Sequence, residues 1–366
     1  MIHRYDTVNY SPSYLIKNRY GIFYFQYRIP TRLLAYSKGQ KLIRLSLRTR
    51  ILRDELKQAR MLIIQSESGE TQRSLEFQHG WNHGNLMNHL IAKETWLSLE
   101  LEGAGDSHTK MRAAQRVLEH EDPDLVILVD DGANEHIGRS LAREENRKLF
   151  FVSIDQHPNY YGYEGKDQIR GIGEHLRLEP IHELMGSLKP GEHLKYGALG
   201  FDNPSGRARL EQLKERNWDK HHLEATELVS DFDAWMNFIN IHPDLDVLVI
   251  LNTESMPEIF GNGAFIRRKD VIDWTEKNSK GLPVSVDASY VENGGAIAFE
   301  LSPNRLGEFV SKRAKEWLEP AHRVPDAIEH LTEFDLAVSV HRMAVRDIKL
   351  PAIYKESARL AQKLYP

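Results

Sequence analysis

The chain has 366 residues, 41% of them hydrophobic and 28% charged, with a formal net charge of -5. This composition is that of ordinary folded domains, and the length allows two or three cores. With no cysteine in the sequence, disulfides, thiol catalysis and cysteine metal sites are excluded. No apolar run approaches the roughly 20 residues that cross a bilayer. The polar stretch 1–12 lacks the apolar centre of a secretory signal, which predicts a cytoplasmic chain.

Charge is unevenly spread. Residues 1–60 hold 13 Lys and Arg against 3 Asp and Glu, whereas the rest hold 35 against 50. Such a split predicts two units with different partners, or a basic surface docked on an acidic neighbour. Within 1–60 the alternation of aromatics predicts short strands at Tyr14–Ile16, Ile22–Arg28 and Leu42–Leu47. Thr49 then reads as the N-cap of a helix carrying Leu52, Leu56 and Ala59. The result is a small basic sheet with one helix.

Arg60 to Ser66 either extends that helix or forms the first strand of the next unit, since short apolar runs do not decide. From there strand and helix alternate. Strand Leu97–Leu101 and helix His108–His120 precede the strand at Leu125–Val129, which ends in Asp130-Asp131-Gly132. Helix Asn134–Asn146, strand Leu149–Ile154 ending at Asp155, segment Gln168–Gly173 and helix Pro180–Leu188 follow. After the breaker Lys189-Pro190-Gly191 the pattern starts again. It runs through strand Leu194–Leu199, helix Pro204–Asn217, strand Leu223–Leu228, helix Phe232–Ile241 and strand Val247–Leu251 with Asn252-Thr253 at its end. Helix Arg267–Asn278, strand Pro283–Val286 with Asp287, strand Ala296–Phe299 and helix Asn304–Leu318 complete it.

Two such runs predict two α/β lobes, each a doubly wound parallel sheet, joined by a hinge. The expected division is a module over 1–60, a first lobe over 61–190 and a second over 191–329. The tail 330–366, with strand Phe334–Val338, is expected to return to the first lobe.

In open α/β sheets ligands sit at the carboxyl ends of the strands. The groups delivered there are Asp130, Asp131, Asp155, Asn252, Thr253 and Asp287, with Trp81 near the expected entrance. Together they suit a small, amino-acid-like guest, with carboxylates accepting from an ammonium and helix N-termini taking its carboxylate. Asp131 is equally a candidate helix cap. An Asp pair after a buried strand is also found in phospho-accepting receivers, but here it follows the third strand and no partner lysine is in place. The 17 histidines form no metal motif, and there is no P-loop or Gly-x-Ser-x-Gly elbow. No catalytic residue, metal or cofactor is assigned, and an α/β enzyme with an unrecognised site is the plain alternative.

Two stretches carry family resemblances. Tyr14-Leu15, Phe23-Tyr24-Phe25, Arg28-Ile29-Pro30 and Arg44 to Arg50 resemble the N-terminal DNA-binding segment of phage-type tyrosine recombinases. That resemblance implies DNA-phosphate contacts by Arg28, Lys41, Arg44, Arg48 and Arg50. The His136-x-x-Arg139 spacing of the recombinase active site lacks any nucleophilic tyrosine context and is read as chance. Pro123 to Val126 with Asp130 to Ala133, Phe151 to Asp155, Gln168 to Glu174, Phe232 to Trp235, Leu245 to Leu248 and Phe334 to Pro351 resemble the two-lobed substrate-binding proteins of ABC transporters. Gly132, Asp155, Ser339 and Asp347 depart from that family's usual residues. This resemblance implies a flytrap that closes on a small molecule without altering it, partnered by an ABC permease or a signalling protein. Joined to the basic segment, it also implies a DNA-associated regulator or mobile-element protein, laid out like repressors that join a headpiece to a flytrap. The resembled family usually works outside the cytoplasm.

Overall fold

The computed structural model describes residues 15–17, 23–28, 42–46, 59–65, 72–88, 92–98, 107–144, 147–176, 178–257, 265–318 and 328–366. The chain divides into a unit over 1–58 and a larger one over 59–366. In the first, β1 (Leu15–Lys17), β2 (Phe23–Arg28) and β3 (Leu42–Ser46) form an antiparallel sheet. Its register sets Arg28 opposite Leu42 and Arg44 opposite Gln26. Lys41, Arg48, Arg50 and the helix expected from Thr49 lie outside the described residues. Ala59, assigned to that helix, instead opens a strand.

The larger unit contains two sheets built on one plan. In the first, β4 (Ala59–Gln65), β5 (Ala92–Ser98), β6 (Leu125–Val129), β7 (Lys148–Ile154) and β8 (Ile169–Gly173) run parallel in the order β5-β4-β6-β7-β8. The second contains β9 (Lys195–Phe201), β10 (His222–Val229), β11 (Val247–Ile250), β14 (Leu282–Ser285) and β15 (Ile297–Leu301), ordered β10-β9-β11-β14-β15. These five are parallel as well. A separate ribbon pairs β12 (Met256–Pro257) with β13 (Phe265–Ile266).

Alternation along the strands makes two cores per sheet. Val126 and Leu128 face one side of the first sheet, while Leu125 and Ile127 face the other. Strands buried on both faces read as unbroken aliphatic runs, which is why Leu125–Val129 was legible. Helix α1 (Gln72–Asn88) covers one face of the first sheet, and α2 (Ser107–Glu121) the other. In the second lobe α3 (Glu179–Leu188) and α4 (Pro204–Lys214) lie on one face, with α5 (Phe232–Ile241) and α6 (Arg268–Asn278) on the other. Asp231 caps α5 by accepting from Ala234 N at 2.9 Å, fixing its start where the sequence places it.

The connections correct the expected topology. Helix α3 packs its Ile181, Leu184 and Met185 with Tyr196 and Val249, so the chain changes lobe at about 174–176, not at Lys189-Pro190-Gly191. That breaker only ends the helix. Helix α7 (Pro303–Leu318) leaves the second sheet and lies on α1, burying Leu306, Val310 and Ala314 with Phe77 and Trp81. The tail does not return to the first lobe. Phe334–Ser339 (β16) pairs antiparallel with β15, and Leu364–Tyr365 (β17) extends the second sheet. Helix α8 (Ala352–Leu360) belongs to that lobe too. Alternation of apolar residues settles strand type but not which sheet a terminal strand joins.

Three crossings therefore join the lobes, near 174–176, at 302 and at 332–333. Across them the His175 and His330 rings stack at 4.1 Å, and His330 Nδ1 lies 3.1 Å from Gly173 O. Glu329 also bridges the edge strand β8 beside Ile172.

Candidate functional site: an ionic crevice between two lobes

The carboxyl ends of β6 and β7 from the first lobe meet the start of α4 from the second. Both strand tips carry left-handed, non-glycine backbone, with φ of 69° at Asp130 and 56° at Ser153. Such conformations cost about 1–3 kcal/mol each and persist where surrounding contacts over-determine them. At Asp130 the turn lets Oδ1 accept from Ala133 N at 3.1 Å, inside the first turn of the helical stretch there. That stretch begins at Asp130 and not at Asn134, and passes through a π-turn at Asn134–Gly138. At Ser153 the turn aims the hydroxyl at Glu174.

Asp131 binds the protein itself. Its two oxygens accept from Asp155 N at 2.9 Å and Gln156 N at 3.2 Å, and Tyr161 donates its hydroxyl to the same carboxylate. Through these contacts it clamps and shapes the β7 tip. Burial pushes its pKa up, and also pushes up that of Tyr161 beside it.

The shaped tip presents Asp155 to the second lobe. Arg209 of α4 donates Nε to Asp155 Oδ1 at 3.0 Å and Nη1 to Leu251 O at 2.8 Å. Ser205 donates to the other Asp155 oxygen, and Gln212 Nε2 reaches Asp155 O at 3.1 Å. Gln156 Nε2 donates to Pro204 O at 2.7 Å. Glu174, at the first crossing, lies 3.8 Å from Arg209 Nη2 and accepts from Arg73 Nη2 at 2.9 Å. Arg73 stands at the start of α1 in the first lobe and also donates to Ser153 at 3.1 Å.

Asp155, Glu174 and Arg209 are buried, and burial works on their charges. Burial raises Asp155 to about 7 against the pull of Arg209. Asp287 is also pushed up by burial, but Arg73 and Arg209 overcome this and hold it below the usual carboxylate range. Glu174 behaves likewise, with Arg73 and Arg209 outweighing its burial. Burial disfavours the Arg209 charge, yet Asp155 and Glu174 keep it firmly protonated.

The expected site residues thus divide. Asp155 pairs with Arg209, Asp287 is held low by the charges of Arg73 and Arg209, and Leu251 brings Asn252 alongside. Asn252 is structural, accepting from Phe201 N at 2.6 Å and donating to Asn203 Oδ1 at 2.8 Å, and Thr253 is buried next to it. Asp130 borders a cavity of only about 30 Å³ with Arg73, Ser153 and Pro303. Trp81 is not at an entrance: it is fully buried between α1 and α7. Sequence reasoning missed Arg73, Glu174, Arg209 and Gln212. One signal was available for Arg209, which shares the buried face of α4 with Ala208 and Leu213.

A second ionic cluster lies beside the crevice. Oxygens of Glu76, Glu300 and Asp335 lie within 4.8 Å of one another, a spacing that suits a metal ion. The Lys363 ammonium occupies it, paired with Glu300, 2.8 Å from Glu76 and 3.5 Å from Asp335. Burial lifts Glu300 to about 7 even so.

Two α/β lobes of identical strand order, crossed three times by the chain and facing each other through polar strand tips, define the periplasmic-binding-protein-like fold. Solved structures agree. The chain is similar to a conserved domain protein from Vibrio cholerae, at 13% identity and a TM-score of 0.58 over 82% of this chain and 98% of that one. It is similar to a ligand-free, open substrate-binding protein with adhesive properties from Clostridium difficile, at 13% identity and 0.58 over 80% and 96%. It is also similar to an ABC domain in complex with L-Trp from Streptococcus pneumonia, at 14% identity and 0.57 over 81% and 98%. No family model and no curated protein matches the sequence. These likenesses do not bear on the DNA contacts expected for residues 1–60. Among the described residues no helix is long and apolar enough to cross a membrane.

Proposed function

We propose that residues 59–366 bind a small polar solute carrying both signs of charge, amino-acid-like in chemistry, between the two lobes and without altering it. The observation that carries this is the convergence of Arg73, Glu174 and Asp155 from the first lobe and hinge with Arg209 and Asp287 from the second. A zwitterion can exchange into such pairs, its carboxylate meeting the arginines and its ammonium the acids. The Asp155–Arg209 ion pair and the donors around it join the lobes across the crevice, so the lobes must part to admit a solute. Entry is then a population shift: the guest replaces contacts between lobes with contacts of its own. Delivery to an ABC permease or signalling to a partner protein is the role such a closure serves.

A thermal-shift screen of the full chain against amino acids and small polar metabolites tests this. A solute at 100 times its Kd adds roughly 2.7 kcal/mol of stability. Stabilisation by at least one zwitterion, lost in Arg73→Ala, is expected. Uniform silence across the screen refutes the reading.

A further inference from the structure

A cavity of about 680 Å³ opens on the second lobe, away from the crevice. It lies at the opposite edge of the sheet, where Leu245 and Asp246 enter β11 and Leu282 begins β14. Its size is that of small-molecule sites in general. Leu188, Leu245 and Ile348 give it an apolar floor.

Its walls are basic. Lys189, Lys280, Arg346 and Lys349 stand against Asp246 and Asp347. This excess runs counter to residues 61–366, where acids outnumber bases by 50 to 35. Two of the cations are fixed parts of the wall. Lys189 pairs with Asp246, whose second oxygen accepts from Lys195 N at 2.9 Å. Arg346 donates to Glu276 Oε2 at 2.9 Å and to the carbonyls of Glu276, Ser279 and Gly281. Lys280 and Lys349 differ, because neither has a hydrogen-bond or ion-pair partner among the described residues. They come from separate connections, one entering β14 and one preceding α8. Two unmatched ammonium groups above an apolar floor are complementary to a molecule with an anionic head and an apolar body.

We propose that this cavity is a second binding site, taking a small amphipathic anion whose carboxylate or phosphate lies between Lys280 and Lys349 and whose apolar part covers Leu188, Leu245 and Ile348. The site is independent of the crevice, and its occupancy does not require the lobes to part.

Isothermal titration of the full chain with octanoate, octan-1-ol and octylamine tests the assignment. Octanoate is expected to bind saturably, and the alcohol and amine about tenfold more weakly or worse, the margin that two partly exposed ionic contacts supply. The double variant Lys280→Glu/Lys349→Glu is expected to weaken octanoate about tenfold or more while its unfolding temperature stays at the parent value, since both side chains are exposed. Absence of saturable octanoate binding, equal binding of the three probes, or octanoate affinity unchanged in the double variant each overturns the proposal.

Discussion

Two of the contacts that hold the larger unit together differ in kind, one where α7 lies on α1 and one where Arg209 enters the crevice. The first is apolar and close-packed. A methyl added at Gly80 would meet Asn304 O at 1.8 Å, and one at Gly307 would meet Phe77 O at 2.2 Å, so backbones touch where side chains are missing. The second contact is made of charges, donors and acceptors, with Asp155, Glu174 and Arg209 buried at its centre and each dependent on its partner. An apolar contact keeps its strength across pH and is indifferent to polar solutes. A buried ionic contact has large opposing terms, so a proton or a competing guest can tip it. The binding proposed above needs both: one surface that stays shut and one that can be persuaded.

The largest expected effect breaks the ionic side. Arg209→Ala leaves Asp155 and Glu174 buried with one fewer cation, and a loss of about 3–5 kcal/mol is expected in urea unfolding. Adding Asp155→Asn should recover part of that loss. Strictly additive losses would show that the pair is not coupled.

The apolar side is tested by Gly307→Val, which forces α7 off α1 and should cost about 3 kcal/mol. Gly186→Ala in α3 is the matched control, for nothing lies within 4 Å of the added carbon. It should be neutral or stabilising by up to about 1 kcal/mol. Equal effects at the two sites would contradict the close packing.

A third effect is in pH. Asp155 titrates near 7 in the folded protein against about 3.9 unfolded. The folded state therefore holds the extra proton between those values, and this contribution, full below pH 4, is lost as pH rises through 7. Asp155→Asn removes it. The unfolding temperature of the variant, measured relative to the parent, should climb between pH 5 and 8, whereas a flat difference would place the titration elsewhere.

Much of the fold was legible because burial on two faces writes itself as aliphatic runs, as at Leu125–Val129 and Val247–Leu251. Capping did the same for α5 through Asp231. The crevice was legible only in part. Asp155 and Asp287 could be named from their places at strand tips, but their partners could not. Arg209 counts as polar in any periodicity, although its guanidinium is as buried as a core leucine. The role of Asp131 was no more legible, for its clamp on the β7 tip depends on a loop 24 residues away. The tail failed for another reason. Phe334–Ser339 carries a good strand pattern, and nothing local distinguishes one lobe's edge from the other's.

The bridge between Glu329 and β8 has a consequence for life at high concentration. Glu329 N donates to Gly171 O at 3.3 Å and Glu329 O accepts from Gly173 N at 3.2 Å, so a returning linker occupies hydrogen-bonding positions at the rim of the first sheet. A bare rim invites a strand from a neighbouring molecule and with it fibrous self-assembly. Here the segment that carries the chain home also shields that rim, and cutting it would be expected to expose a sticky margin as well as loosen a joint.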